Sequence, residues 1–235
     1  MKKTDAALRF FPNLRGCAAS GPDQKFSRRY SMNRKTINTK TAALAGMLGA
    51  ISAVLMMIDF SLPLFPSFMK FDLGELPALF GGFFLGPTAG CLIIVIKMLL
   101  KVLVKGTSTA FVGEFMNIVA SVCYVLPASL IYKRDHTKSG AKKAMVISTI
   151  FTGIVCVFLN AYVSFPMYGR LYGLSMEAIV GMAAKVNPLV HDNMTLMIFS
   201  VFPFNLLKYG VTSVLTYLIY KRTGNTIRRI MDFQS

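Results

Sequence analysis

The sequence predicts an all-α membrane protein, a bundle of six transmembrane helices with the N and C termini both cytoplasmic. Three observations carry that prediction. Hydrophobic residues make up 54% of the 235-residue chain and charged residues only 15%, whereas a soluble domain carries about 25% charge. Several apolar runs approach or exceed the roughly 20 residues that a helix needs to cross a bilayer. The Lys and Arg residues are also placed asymmetrically around those runs, and that asymmetry sets orientation.

The membrane segments are read at 41–58, 74–85, 88–104, 111–132, 144–166 and 196–220. The first, TAALAGMLGAISAVLMMI, carries small residues at four-residue spacing in two rows, Ala42, Gly46, Ala50 and Ala45, Gly49, Ala53. Such rows let another helix approach closely, and two on one helix exceed what internal packing usually requires. They are read as a docking face for a partner subunit. The second segment, GELPALFGGFFL, has only twelve residues and at about 1.5 Å per residue cannot span alone. It must be tilted, broken or packed among neighbours, and Pro77 with the Gly81–Gly82 pair fits a helix buried against others.

The third segment ends IKMLLKVLVKG, with Lys97 and Lys101 on one face near the outer surface. Snorkelling accounts for Lys101 better than for Lys97. The fourth begins at GTSTAFVGEFMN, where Glu114 is followed by Asn117, and the fifth holds Asn160 in VCVFLNAYVSF. An asparagine at such a depth serves as interhelical glue or lines a site, and Glu114 likewise has a structural and a ligand-lining reading.

The sixth segment contains FPFNLLKYG, with Lys208 at its middle, twelve residues from either end. That is about 18 Å of helix, more than a lysine can snorkel over. A central lysine costs about 2.5–3.5 kcal/mol on insertion scales, so its position marks a site or an internal ion pair. Asn205 shares its face, and Pro203 removes a backbone hydrogen bond and frees a carbonyl. Glu114 is read as the only acid well placed to pair with Lys208.

Nineteen of the 26 Lys and Arg lie in residues 1–40, in KRDHTKSGAKK at 133–143, or after Tyr220, against five in the external segments. This puts 59–73, 105–110 and the long stretch 167–195 outside as loops. Residues 1–35 are expected to be a basic, disordered cytoplasmic tail, and 36–230 the six-helix domain, multi-pass in the cell membrane. No cleavable leader is evident at the front. The net charge of +16 flanks the apolar runs, so it reads as a lipid-facing anchor and not as a nucleic-acid surface.

Nothing in the sequence supports an enzyme. There is no GxxxxGK[ST], HExxH or GxSxG motif. His136 and His191 fall in loops, and Cys17, Cys91, Cys123 and Cys156 lack metal-ligand spacing. No metal or cofactor is expected.

From Met32 to Arg229 the sequence resembles the riboflavin-specific substrate-binding subunit (S component) of energy-coupling factor transporters. The resemblance is carried by FPSFMKFDLGELPALFGGFFLGPTAG, IKMLLKVLVKGTSTAFVGEFMN and FNLLKYGVTSVLTYLIYKR. It implies a six-helix bundle that captures riboflavin, or its phosphate FMN, from outside. That bundle would associate with a membrane coupling subunit and two cytoplasmic ATPases. The implied ligand contacts are Asn160, Asn205 and Lys208, with Met69, Lys70 and Phe71 helping to close the site and Gly106 to Thr109 near it. The expected ligand-binding set also takes in Glu114 and Asn117 from their position. The resemblance also places a small-residue face of the first helix against the coupling subunit. A different vitamin, or a non-transporting membrane scaffold in which the polar residues serve packing alone, are the alternatives; a self-sufficient secondary transporter is disfavoured by the absence of clear internal repeats.

Overall fold

The structure, a computed structural model, describes residues 38–232 except 108 and 174, with side chains through Arg222. The expected tail at 1–35 lies outside the described residues. Helix α1 (Thr39–Met57) leads into a short antiparallel hairpin, β1 (Phe60–Ser61) and β2 (Lys70–Phe71), with Phe60 opposite Phe71. Then come α2 (Glu75–Phe84), α3 (Pro87–Lys105), α4 (Val112–Arg134) and α5 (Lys138–Leu159). A π-helical turn, Asn160–Ser164, joins α5 to α6 (Phe165–Tyr172). Helices α7 (Met176–Ala184) and α8 (Asn193–Leu196) follow, and a second π-helical turn, Met197–Val201, leads into α9 (Phe202–Asp232).

Among the described residues, five continuous helical stretches are long and apolar enough to cross a membrane: Thr39–Met57, Pro87–Lys105, Val112–Arg134, Lys138–Tyr172 and Asn193–Arg222. They match five of the segments read from the sequence. The remaining one, α2, has ten residues, about 15 Å of helix. It packs against α1, α3, α4 and α9, with Ala78 and Leu79 fully buried. Its composition explains the enclosure. A side chain at Gly82 would strike Ser129 on α4, and one at Gly90 on α3 would come 2.8 Å from Val125. Glycine at these positions lets three backbones converge.

The two small-residue rows of α1 part company. Ala45, Gly49 and Ala53 are buried; a Cβ at Gly49 would sit 2.6 Å from Ile96 of α3. That row makes the α1–α3 contact and cannot form an outward face. Ala42 and Ala50 are exposed, and nothing lies within 4 Å of a Cβ built on Gly46. The spacing of four identified both rows but not which one pointed inward.

The stretch 167–195, expected as an external loop, is largely helical. Gly173, at φ 64°, ends α6 in the left-handed conformation that favours glycine. Ser175 then caps α7 by accepting the Ala178 N–H, and Asp192 with Thr195 forms a capping box at α8. Ile179, Ala183 and Val190 are buried beneath this cover. They join Phe65, Met69 and Phe71 of the hairpin segment and Phe165, Met197 and Phe204 in one apolar cluster. At the opposite end a second cluster gathers Phe83, Tyr124, Tyr132 and Tyr220, with Phe83 stacked on Tyr132 at 4.5 Å.

Candidate functional site

The sequence places two π-helical turns on neighbouring helices, and the candidate site lies beside them. Such turns offset the helix by one residue and recur at functional sites. Here the first borders, through Asn160, a cavity of about 140 Å³, and the second leads into the α9 residues of its wall. Its walls come from α4 (Gly113, Met116, Asn117, Ala120), from the α5 end and its π turn (Cys156, Leu159, Asn160), and from α9 (Phe204, Asn205, Lys208, Tyr209). Lys208 is the only charged residue among these.

Each polar wall residue is oriented by a neighbour. Asn160 Nδ2 donates to the Cys156 carbonyl, and Asn205 Nδ2 donates to the Val201 carbonyl, both at 2.8 Å. These contacts use one of the two N–H groups of each amide and leave its oxygen uncommitted to them. The Asn117 oxygen accepts from Lys97 Nζ at 3.3 Å and lies 3.2 Å from Ser121 Oγ, which turns its NH₂ group away from Lys97. Lys208 Nζ donates to Asp72 Oδ2 at 2.7 Å. The other carboxylate oxygen of Asp72 accepts the Gly74 N–H at 2.9 Å, and the Gly74 carbonyl in turn accepts from Ser52 on α1.

The partner of Lys208 is therefore Asp72, not Glu114. The expectation failed because Asp72 falls in a stretch read as an external loop, and that stretch folds inward between the hairpin and α2. Glu114 instead binds Lys101, with Thr107 and Thr109 donating to its second oxygen at 3.1 and 2.7 Å. Lys101 also reaches the Gly106 carbonyl at 3.3 Å, so it is tied to the start of α4 and does not simply snorkel. Glu114 thereby gathers the 105–111 connection, where Ala110 and Phe111 hold positive φ angles of 46° and 65°. Conformations of that kind persist only where the surroundings enforce them.

A further pair was missed outright. Lys97 and Glu75 are both fully buried and 2.8 Å apart. Ser121 Oγ donates to the same Glu75 oxygen at 2.7 Å. The signal was available: FDLGE holds two acids three residues apart, beside the segment too short to span, in a chain with ten Asp and Glu in total.

Of the expected ligand-binding residues, the structure brings Asn117, Asn160, Asn205 and Lys208 together on the cavity wall. Gly106, Thr109 and Glu114 stand in the adjoining connection and do not line it. Met69 and Phe71 are buried in the hairpin cluster, which reaches the wall where Phe65 packs edge-on against Phe204, ring centres 5.2 Å apart. Lys70 points outward to Asp59 at 2.9 Å. Asp59 also holds Lys105. Burial raises the Asp59 pKa, but the hydrogen bonds and charges of Lys105 and Lys70 outweigh it and hold the carboxyl at about 2.

A family model described as "ECF transporter, substrate-specific component" matches residues 40–220. A Staphylococcus aureus protein named riboflavin transporter RibU is 32% identical over 185 residues, covering 78% of this chain and 90% of that protein. The Bacillus subtilis riboflavin transporter FmnP is 26% identical over 185 residues, covering 78% and 92%. The Lactococcus lactis RibU is 30% identical over 189 residues, covering 77% and 91%. A solved structure, reported under "Structure and mechanism of the S component of a bacterial ECF transporter", superposes with a TM-score of 0.63 at 30% identity, over 80% of this chain and 97% of that one.

Proposed function

The chain belongs to the substrate-specific components of ECF transporters, multi-pass membrane proteins that bind and carry rather than catalyse, and we propose that its substrate is riboflavin. The observation that carries this reading is the cavity itself, where the amides of Asn117, Asn160 and Asn205 and the Lys208 ammonium converge among Met116, Leu159, Phe204 and Tyr209. A flavin has a flat, mostly apolar ring with one hydrogen-bonding edge and a hydroxylated tail. Amides donate and accept at that edge and tail while the apolar groups enclose the ring. The names of the relatives favour the same ligand.

The cavity volume of about 140 Å³ falls below the roughly 300–1,000 Å³ of ligand pockets. Entry of a whole flavin is thus expected to part Phe65 from Phe204 and displace the hairpin segment outward, with Met69, Lys70 and Phe71 closing behind the ligand. Gly106, Thr109 and Glu114 would set the position of Asn117 by anchoring the start of α4. The chain crosses the membrane six times in this reading, α2 included, with both termini cytoplasmic and the hairpin end outside. The outward row of Ala42, Gly46 and Ala50 meets a membrane coupling subunit, and two cytoplasmic ATPases supply the work.

The test is to purify the protein in detergent and identify its bound small molecule by mass spectrometry. Riboflavin or FMN is the expected finding. A different vitamin keeps the architecture and changes the ligand, whereas the absence of any small molecule, before and after incubation with flavin, favours a scaffold without transport.

A further inference from the structure

We infer that Asp72 is a positioning residue that sets substrate selectivity, by holding Lys208 as a hydrogen-bond donor whose charge is already balanced. The inference rests on the riboflavin reading above. Lys208 Nζ lies 2.7 Å from Asp72 Oδ2, and the side chains of both are nearly enclosed, 7% and 6% exposed. Asp72 is itself fixed by the Gly74 N–H at 2.9 Å, and Gly74 by Ser52 of α1. The carboxylate therefore stands on a backbone anchor, and the ammonium is aimed from the α9 side onto it.

The surrounding charges are balanced in the same way. Lys97 is matched by Glu75 and Lys101 by Glu114. Among the described residues lining the cavity, no charge other than that of Lys208 is present. A lysine without a counter-ion would make this wall an anion trap, since a unit charge acts strongly where protein rather than water surrounds it and the Lys208 side chain is nearly enclosed. With Asp72 in place the wall offers N–H groups without net charge, which suits the neutral edge of a flavin ring and gives no electrostatic preference to a phosphorylated one. The tether also limits where the ammonium can point, which lowers the ordering cost of binding.

The experiment compares dissociation constants for riboflavin and FMN in the full-length wild type and in Asp72→Asn, Asp72→Glu and Lys208→Gln, with thermal stability recorded for each. Asp72→Asn exposes the ammonium charge. It is expected to weaken riboflavin binding and to shift the riboflavin-to-FMN affinity ratio towards FMN by about tenfold, the order of magnitude of one uncompensated charge at an effective dielectric near 20. Asp72→Glu restores the charge with altered geometry, so the ratio returns close to wild type. Lys208→Gln leaves the carboxylate unbalanced and moves the ratio the opposite way, and it provides the reading should Asp72→Asn not fold. Ratios within twofold of wild type in both Asp72→Asn and Lys208→Gln, whatever the loss of overall affinity, overturn the inference and leave Asp72 a structural anchor. A wild type that binds neither flavin overturns the riboflavin reading instead.

Discussion

Lys97 on α3 and Lys208 on α9 are both buried, and both are held by carboxylates of the single short segment Asp72–Glu75, at 2.8 and 2.7 Å. Beyond that shared arrangement they diverge. Lys97 has Glu75, Ser121 and Asn117 as oxygen partners within 3.3 Å, and both it and Glu75 are fully buried. Lys208 has one carboxylate partner and one side on the cavity. The two lysines thus differ in how fully their donors are taken up by the protein. The first lysine ties α2 to α3 and α4, and the second keeps one side on the cavity proposed to take the ligand.

Substitutions that separate these roles test the comparison. The largest expected effect is on folding: Glu75→Ala strands Lys97 without its carboxylate, at a cost of about 3–5 kcal/mol, read as a lowered unfolding temperature in detergent. A stability close to wild type would mean that Ser121 and Asn117 satisfy Lys97 alone. Next is Lys208→Ala, which is expected to weaken riboflavin binding roughly 10–100-fold, the loss of a charged hydrogen bond, while destabilising the protein less than Glu75→Ala. Asp72 keeps its Gly74 N–H in that variant. Unchanged affinity together with a larger loss of stability than in Glu75→Ala would reverse the roles of the two lysines.

The two rows of α1 offer the same contrast in packing. Gly49→Val overpacks the α1–α3 contact and is expected to cost about 1–3 kcal/mol. Gly46→Val faces open space and is expected to change stability by no more than about 0.5 kcal/mol and to leave flavin binding unaltered, yet to slow uptake by the assembled transporter. Normal uptake in Gly46→Val would remove that row from the proposed docking surface.

The smallest effect concerns the hairpin. Asp59, held at about 2 by Lys105 and Lys70 against the raising effect of burial, has a folded pKa below its ordinary value of 3.8. Its contribution is thus fully present above about pH 4 and is lost as pH falls towards 2. An exposed bridge of this kind is worth about 1 kcal/mol or less. Asp59→Asn should flatten that part of the stability curve and do nothing at neutral pH beyond loss of the bridge itself.

Much of this architecture was legible in the sequence because the bilayer imposes a length and a polarity on each span. Five spans and the short α2 follow directly from apolar runs and from the Gly81–Gly82 pair. The polar wall was legible too, since Asn160, Asn205 and Lys208 stand out against apolar neighbours at a depth where polarity is costly. What escaped were relations between distant parts of the chain. Asp72 and Lys208 are 136 residues apart, and no helical periodicity links them. Glu75 and Lys97 are likewise 22 residues apart and on different helices. The helices at 167–195 were hidden because α6, α7 and α8 are short and depend on caps at Gly173, Ser175 and Asp192, which resemble loop residues when read in isolation.

The most direct test of the central claim is a titration of riboflavin fluorescence with the purified wild-type protein. Binding in the cavity walled by Asn160, Asn205 and Lys208 predicts quenching that saturates at one flavin per chain and that needs much more protein in Lys208→Ala. Riboflavin fluorescence left unchanged by a stoichiometric excess of folded protein would contradict the account.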